Sequence, residues 1–319
     1  EVQPNTIVVL HNGSPVEMPW KDDVKGLLEA YLGGQAGGSA VVNILYGKVN
    51  PSGKLAETLP LKLSDNPSYL NFAEREKVNY SEGVFVGYRY YDAKEMEVAF
   101  PFGHGLSYTT FKYSNLKLDR TEMTDQDTLT VSVDVTNTGS RAGKEVVQLY
   151  VSDRTGSVRS PLKELKGYEK VSLDPGETKT VTMTLDKRSF AWYSTELHDW
   201  YAASGEYEIL IGASSRDIRL TEKIRLHSTR NLPLNLTLNT PMGDLIADER
   251  TREFGLALKQ KMDEFFGAAG SNTKLSDDDS DEDPMADAMA ASMPIRNVVS
   301  FGLMEKEELF KKLKEFNEK

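Results

Sequence analysis

Not one of the 319 residues is a cysteine, which excludes disulfides, thiol nucleophiles and thiolate-bound metals. Only four histidines occur, His11, His104, His198 and His227, and their wide spacing gives no zinc-type cluster, so no metal is expected. Basic side chains are outnumbered, 38 lysines and arginines against 49 acidic residues, for a formal charge of −11. A surface of that sign argues against nucleic acid or an anionic membrane as partner and favours a neutral or polar ligand. No apolar run reaches the roughly eighteen residues of a membrane-spanning helix. The opening "EVQPNTIVVL" lacks the basic region and cleavage site of a secretory signal. These absences are those of a cytoplasmic protein in a reducing compartment, and that is the location expected.

The length suffices for two or three domains. Thr6 to Leu10 reads as a buried strand, Lys21 to Tyr31 as a helix running into a short strand, and Gly38 to Tyr46 as a second helix. This alternation is that of an α/β layer with a largely parallel sheet. Only part of such a layer is present, and the strand pattern begins within a few residues of Glu1, as expected of a segment from the middle of a larger domain. Residues 64–112 are rich in turn residues and aromatics and are expected to wrap the α/β piece, closing a first domain at residues 1–112. From residue 113 the period changes to two. Leu129, Val131, Val133 and Val135 share one face, as do Val181, Met183 and Leu185, and "LDPGE" places Pro175 and Gly176 where a type II turn needs them. An antiparallel β sandwich over 113–230 follows. Residues 231–319 read as a helical tail, helical across "GDLIADERTREFGLALKQKMDEFFG" and interrupted by an acidic linker at 271–283. In it Met285, Met289 and Met293 fall on one helical face, and Leu309, Leu313 and Phe316 on another, both read as docking or core faces.

The glycines Gly33, Gly34, Gly37 and Gly38 in "YLGGQAGGSAVVNILYG" raise the question of a phosphate cradle. No Gly-Lys-Ser/Thr closes the loop, since Ser39 and Ala40 follow, and the spacing is not that of a dinucleotide fingerprint. No nucleotide or other cofactor is therefore expected, and the glycines are read as a close strand-to-helix corner. Gly-x-Ser-x-Gly is absent, and His104 near Ser107 in "GHGLS" makes no triad, so His104 is read as structural. Glu57, Glu82, Asp92 and Glu97 could supply paired carboxylates, but none ends a recognisable buried strand, and each is read as a surface or loop residue. Trp192, Tyr193, Trp200 and Tyr201 could stack on a sugar ring, with core and turn packing the simpler reading. The sequons at Asn12, Asn79 and Asn235 matter only in a secreted protein.

Four stretches in order, "NTIVVLHNGSPVEMPW", "YLGGQAGGSAVVNILYGKVNPSGKLAETLP", "EGVFVGYRYYD" and "FPFGHGLSYTTF", resemble the C-terminal part of glycoside hydrolase family 3, the family of many β-glucosidases. The resemblance continues in "VVQLYVSDRTGSVRSPLKELKGYEKVSLDPGE" and "GEYEILIGASSRDI", similar to that family's fibronectin type III-like domain, and spans roughly residues 5–225. The tail resembles extensions of some bacterial members. The implied fold is α/β plus all-β: a partial α/β sandwich layer, a fibronectin type III-like β sandwich and a helical C-terminal extension. The implied chemistry is that of a retaining exo-acting glycosidase acting on terminal β-glycosides. Its aspartate nucleophile would come from a (β/α)₈ barrel, and its acid/base glutamate from a loop before the strand at Thr6 to Leu10. Neither position falls in this chain. The resemblance therefore assigns no catalytic, cofactor or metal residue here, leaves the substrate contacts unassigned, and implies that the isolated chain is inactive. The implied partners are a β-glycoside and the missing barrel half, and a homo-oligomer is compatible with it. The alternative reading is a non-catalytic carbohydrate-binding or interaction module.

Overall fold

In the computed structural model, which describes residues 3–72, 76–269 and 284–318 (the last three of the middle stretch and 284–287 as backbone only), the apolar run Ile7–Leu10 forms strand β1. It pairs in parallel with β2 (Gly26–Glu29), Ile7 opposite Gly26 and Leu10 opposite Glu29. The helix expected from Lys21 is not formed. Two tight turns take its place, with Lys21 N–H donating to Met18 O and Asp23 N–H to Trp20 O, both at 3.0 Å. The strand already begins at Gly26, so too few residues remain after Pro19 to nucleate a helix. Helix α1 (Gly37–Leu45) follows, then β3 (Leu59–Pro60), α2 (Tyr88–Ala93) and β4 (Val98–Phe100), which lies antiparallel to β3.

The glycine corner also departs from expectation. None of Gly33, Gly34, Gly37 and Gly38 has positive φ, and a Cβ at Gly34, Gly37 or Gly38 would meet nothing within 4 Å. At Gly34, Gly37 and Gly38 neither backbone conformation nor close packing among the described residues calls for glycine.

The sandwich is formed by two sheets. One has the order β10 (Thr178–Leu185), β7 (Leu129–Asn137), β5 (Phe111–Leu118). The other runs β6 (Glu122–Thr124), β14 (Ile218–His227), β13 (Gly205–Gly212), β8 (Gly143–Asp153), β9 (Glu164–Leu173). Between β10 and β13 lie the short helix α3 (Lys187–Phe190) and the hairpin of β11 (Trp192–Ser194) with β12 (Asp199–Tyr201). The period-two pattern sets the inner faces: Leu129, Val131, Val133 and Val135 are fully buried against Val147, Leu149, Ile209 and Ile211. At the turn into β10, Glu177 N–H donates to Asp174 O at 2.9 Å and Gly176 adopts φ +76°, as the type II turn of "LDPGE" requires.

Residues 1–230 form one compact unit and 231–319 a second. The second carries α4 (Met242–Ala247), α5 (Arg252–Ala269), α6 (Pro284–Ser292), α7 (Arg296–Ser300) and α8 (Lys306–Asn317) around its own core of Met242, Leu245, Leu258, Met262, Ile295, Val298, Leu309 and Leu313. The single helix expected across residues 243–267 is broken at Asp248. Its side chain accepts the Arg250 N–H at 2.9 Å while Thr251 Oγ1 donates to Leu245 O at 2.7 Å, and this local turn outcompetes continuation of the helix. Leu309 and Leu313 are buried and Phe316 rests on Phe254, ring centroids 5.5 Å apart, so that stripe is a core face. The methionines do not share one face: Met289 is exposed, and α6 ends at Ser292, so Met293 packs from outside the helix. The acidic stretch 271–283 and the Met285 side chain lie outside the described residues.

Candidate functional site

In an α/β layer ligands collect at the carboxyl ends of parallel strands. At that end of β2 stands Glu29, followed by Tyr31 with φ +46°, a conformation rare for a side chain of its size. Glu29 Oε1 accepts the Tyr31 N–H at 2.9 Å, whereas its Oε2 and the Tyr31 hydroxyl are buried without a hydrogen-bond partner among the described residues. The Ala56 N–H lies near that hydroxyl but outside hydrogen-bond geometry. Glu57 stands near enough for its charge to bear on the Tyr31 hydroxyl. Burial first, and then the charge of Glu29, holds its carboxyl above the ordinary range. Burial and the charges of Glu57 and Glu29 likewise push the Tyr31 hydroxyl up. Glu29 and Tyr31 line a cleft of about 690 Å³ with otherwise largely apolar walls, among them Leu28, Ile44, Leu55 and Phe100. Sequence reasoning named Glu57 but missed Glu29 and Tyr31, whose one signal was their position at the carboxyl end of a short strand.

The other candidate carboxylates are scattered. Asp92, expected at the surface or in a loop, is buried on α2, where Oδ2 meets Lys163 Nζ at 2.7 Å and Oδ1 accepts from Arg216 Nε at 2.8 Å. Both oxygens are held by cations of the sandwich, which leaves the group unfit for proton transfer. Glu97 is exposed, and Glu82 is half-buried with Oε2 unpartnered. His104 stacks on Phe100 at 5.4 Å, and burial, then Lys54, lowers its pKa. Ser107 donates to Asn50 Oδ1 at 2.9 Å, so the two residues of "GHGLS" form no nucleophile–base pair. In "VNPSGK", Asn50 donates to Ala142 O at 3.0 Å, and Lys54 bonds Gly105 O at 2.8 Å and pairs with buried Glu145 at 2.9 Å. The motif fastens the α/β segment to the sandwich.

The four aromatics form two edge-to-face pairs, Trp192 with Tyr201 and Tyr193 with Trp200, each 5.7 Å apart and steeply inclined. They present no continuous platform, and the Arg188 guanidinium lies 3.5 Å over the Trp200 ring. Among the described residues no group of three or more metal-ligating side chains converges, and no helix is long and apolar enough to cross a membrane. Asn79 and Asn235 are exposed and Asn12 half-buried.

The hydrophobic balance of the α/β segment is inverted. Among the described residues up to 108, three hydrophobic side chains are buried (Met18, Leu59 and Tyr91), while eighteen large ones are exposed, including Leu70, Phe72 and Tyr80 at more than 80%. No side chain of α1 is buried.

Comparison with known proteins agrees with this geometry. Residues 1–108 match the glycosyl hydrolase family 3 C-terminal domain and residues 145–215 the fibronectin type III-like domain. The chain is 54% identical over 303 residues to thermostable beta-glucosidase B of Acetivibrio thermocellus, covering 94% of this chain and 39% of that protein. It is 47% identical over 224 residues to exo-alpha-(1->6)-L-arabinopyranosidase of Bifidobacterium breve, covering 70% of this chain and 29% of the relative. The crystal structure of a GH3 beta-glucosidase from Bifidobacterium adolescentis superposes with a TM-score of 0.72 at 42% identity, covering 78% of this chain and 36% of that one. The chain thus spans no more than 39% of the length of these relatives. Because the first unit ends at Arg230, the 303-residue match to the Acetivibrio protein runs well into the helical unit.

Proposed function

The chain belongs to glycoside hydrolase family 3 as a C-terminal part of a β-glucosidase-type member, and from this premise we propose that it is the scaffold half of a retaining, exo-acting β-glucosidase. In this reading residues 1–112 end the α/β sandwich, 113–230 are the fibronectin type III-like domain and 231–319 a helical extension, in a cytoplasmic bacterial enzyme. The observation that carries it is the inverted hydrophobic balance of residues 1–108. A layer with eighteen large apolar side chains in water and three buried has not met its packing partner. The open glycine corner fits the same reading, since Gly34, Gly37 and Gly38, which no described residue approaches, suit a surface that another segment covers closely.

Retaining hydrolysis needs a nucleophilic carboxylate and a second carboxyl about 5–5.5 Å away that first protonates the leaving oxygen and then activates water. Asp92 is locked by two cations, and Glu29 sits in a largely apolar cleft of the scaffold whose lining does not include Glu57. The isolated chain therefore does not turn over glycosides, and both catalytic carboxylates come from the remainder of the enzyme. The alternative, a sugar-binding sandwich, finds little support in inclined aromatics with an arginine on the Trp200 face.

The test is hydrolysis of an aryl β-glucoside by the chain alone and with the part of the Acetivibrio β-glucosidase that it does not match, supplied as a second polypeptide. Turnover is expected only with both present. Turnover by the chain alone, or failure of the two to associate, overturns the proposal.

A further inference from the structure

We propose that Glu29 and Tyr31, at the carboxyl end of β2, together with Glu57 just before β3, form a socket for an arginine side chain carried by the polypeptide that completes the α/β layer. This rests on the reading of the chain as part of such a layer. The first observation is unmet hydrogen-bonding capacity: Glu29 Oε2 and the Tyr31 hydroxyl are both buried, and neither has a hydrogen-bond partner among the described residues. A buried oxygen in that state costs about 1–3 kcal/mol, more when charged, unless a donor reaches it.

The second observation is electrostatic. The charge of Glu29 bears on the Glu57 carboxyl and raises it, and among the described residues the lysines of the cleft walls form no ion pair with either carboxylate. Of the lysines there, Lys21 is paired with Asp22 at 2.7 Å, Lys54 is paired with Glu145 at 2.9 Å, and Lys25 is exposed. The third observation is location. Glu29 and Tyr31 line the 690 Å³ cleft whose apolar walls belong to the uncovered face, so what covers that face also comes against these two residues.

A buried carboxylate oxygen and a phenol hydroxyl on the cleft wall, with a second carboxylate near enough to feel the charge of the first, present several acceptors. A guanidinium, planar, permanently charged and carrying five N–H donors, can bond more than one of them at once, whereas an ammonium acts as a point charge. The same pairing would fix the register of the incoming segment, because a single-residue shift would leave the charges unmatched.

The probe is the unmatched part of the Acetivibrio β-glucosidase, titrated against the full 319-residue chain by calorimetry at low and high salt. Glu29→Gln with Glu57→Gln is expected to weaken association about tenfold and to flatten its salt dependence. Tyr31→Phe should weaken it by about threefold, and Glu97→Gln, on an exposed residue, should leave it unchanged. Removing two unpaired like charges is also expected to raise the unfolding midpoint of the free chain, a sign that general damage to the fold would not give. Wild-type association with an equally tight, equally salt-dependent double variant overturns the socket while leaving the scaffold reading intact. A lowered midpoint in the double variant also overturns it. In the probe, one arginine-to-lysine replacement should reproduce the loss, and if none does, the arginine assignment is overturned. No association by the wild-type chain overturns the scaffold reading, and the socket with it.

Discussion

Arg216 Nε donates to Asp92 Oδ1 at 2.8 Å across 124 residues of sequence, while Lys163 Nζ holds Oδ2 at 2.7 Å. Arg216 also donates to Met96 O at 2.9 Å, so one sandwich loop grips both ends of the turn that follows α2. Asp92→Ala removes the acceptor shared by two cations, and Lys163 is left largely buried without a partner. Breaking a buried pair from one side costs roughly 3–5 kcal/mol; Arg216 is a third exposed, which moves the expected loss to about 3 kcal/mol or below. Urea unfolding of the full chain measures it. A loss under about 0.5 kcal/mol would show that this contact does not hold the segment to the sandwich.

Two glycines make opposite predictions. Gly103 has φ +77°, and a Cβ there would collide with the Gln148 carboxamide, whose Nε2 donates to Gly103 O at 3.0 Å and Ala213 O at 2.8 Å. Gly103→Ala therefore combines backbone strain with displacement of a buried amide and is expected to cost at least about 2 kcal/mol. Gly38 lies in α1 with open space around it. Gly38→Ala is expected to stabilise the isolated chain by about 0.5 kcal/mol through helix propensity, yet to weaken association with the remainder of the enzyme. Thermal unfolding and the calorimetric titration read the two effects separately, and equal association by wild type and Gly38→Ala would sink the second.

These cases mark what could be read from sequence. The sandwich was legible because each strand buries its alternate face within the same chain: Val131, Val133 and Val135 announce their partners by period alone. The reading of Lys21 to Tyr31 as a helix running into a short strand failed in its helical part because the five residues between Trp20 and Gly26 carry too few turns for periodicity to decide. Asp92 was misplaced because its partners, Lys163 and Arg216, stand 71 and 124 residues away, beyond any local pattern. The glycine corner was misread as self-packing because a sequence says that space is wanted without saying which segment uses it. Of the candidate site only Glu57 was named, since Glu29 gains meaning only when β1 and β2 pair and bring its carboxylate to the strand end.

His104 gives the pH dependence. It is half-buried on Phe100, faces Lys54 and Asp217, and titrates below the ordinary histidine value of about 6.5, chiefly from burial and secondly from Lys54. A base with a depressed folded pKa binds its proton more readily in the unfolded state, so stability falls as pH drops through 6.5 and the loss levels off below the folded pKa. His104→Gln should flatten this part of the stability profile while retaining the ring's polar edge in part. Midpoints measured from pH 7.5 to 5 decide it; an unchanged slope in the variant assigns the effect elsewhere. The acid limb below about pH 4 should persist, because Asp217 and Asp248, held below the ordinary range chiefly by Arg219 and Arg250, lose their stabilising charge there.

The helical unit makes the last prediction. Its core is confined to residues 231–319, with Leu309 and Leu313 of α8 buried against Met242, Leu245, Leu258 and Val298. Asn317 further fastens α8 to the extended segment before α4, accepting the Leu236 N–H at 2.8 Å and donating to Leu236 O at 3.0 Å. Leu309→Ala opens a cavity at a fully buried position and is expected to cost the helical unit about 2–4 kcal/mol. Because the sandwich core shares none of these residues, the loss should fall on one calorimetric transition and leave the other unmoved. A chain ending at Arg230 should accordingly retain the unaffected transition at its original temperature. If instead Leu309→Ala lowers a single transition for the whole chain, the helical unit does not unfold by itself, and the boundary at Arg230 is no boundary of stability.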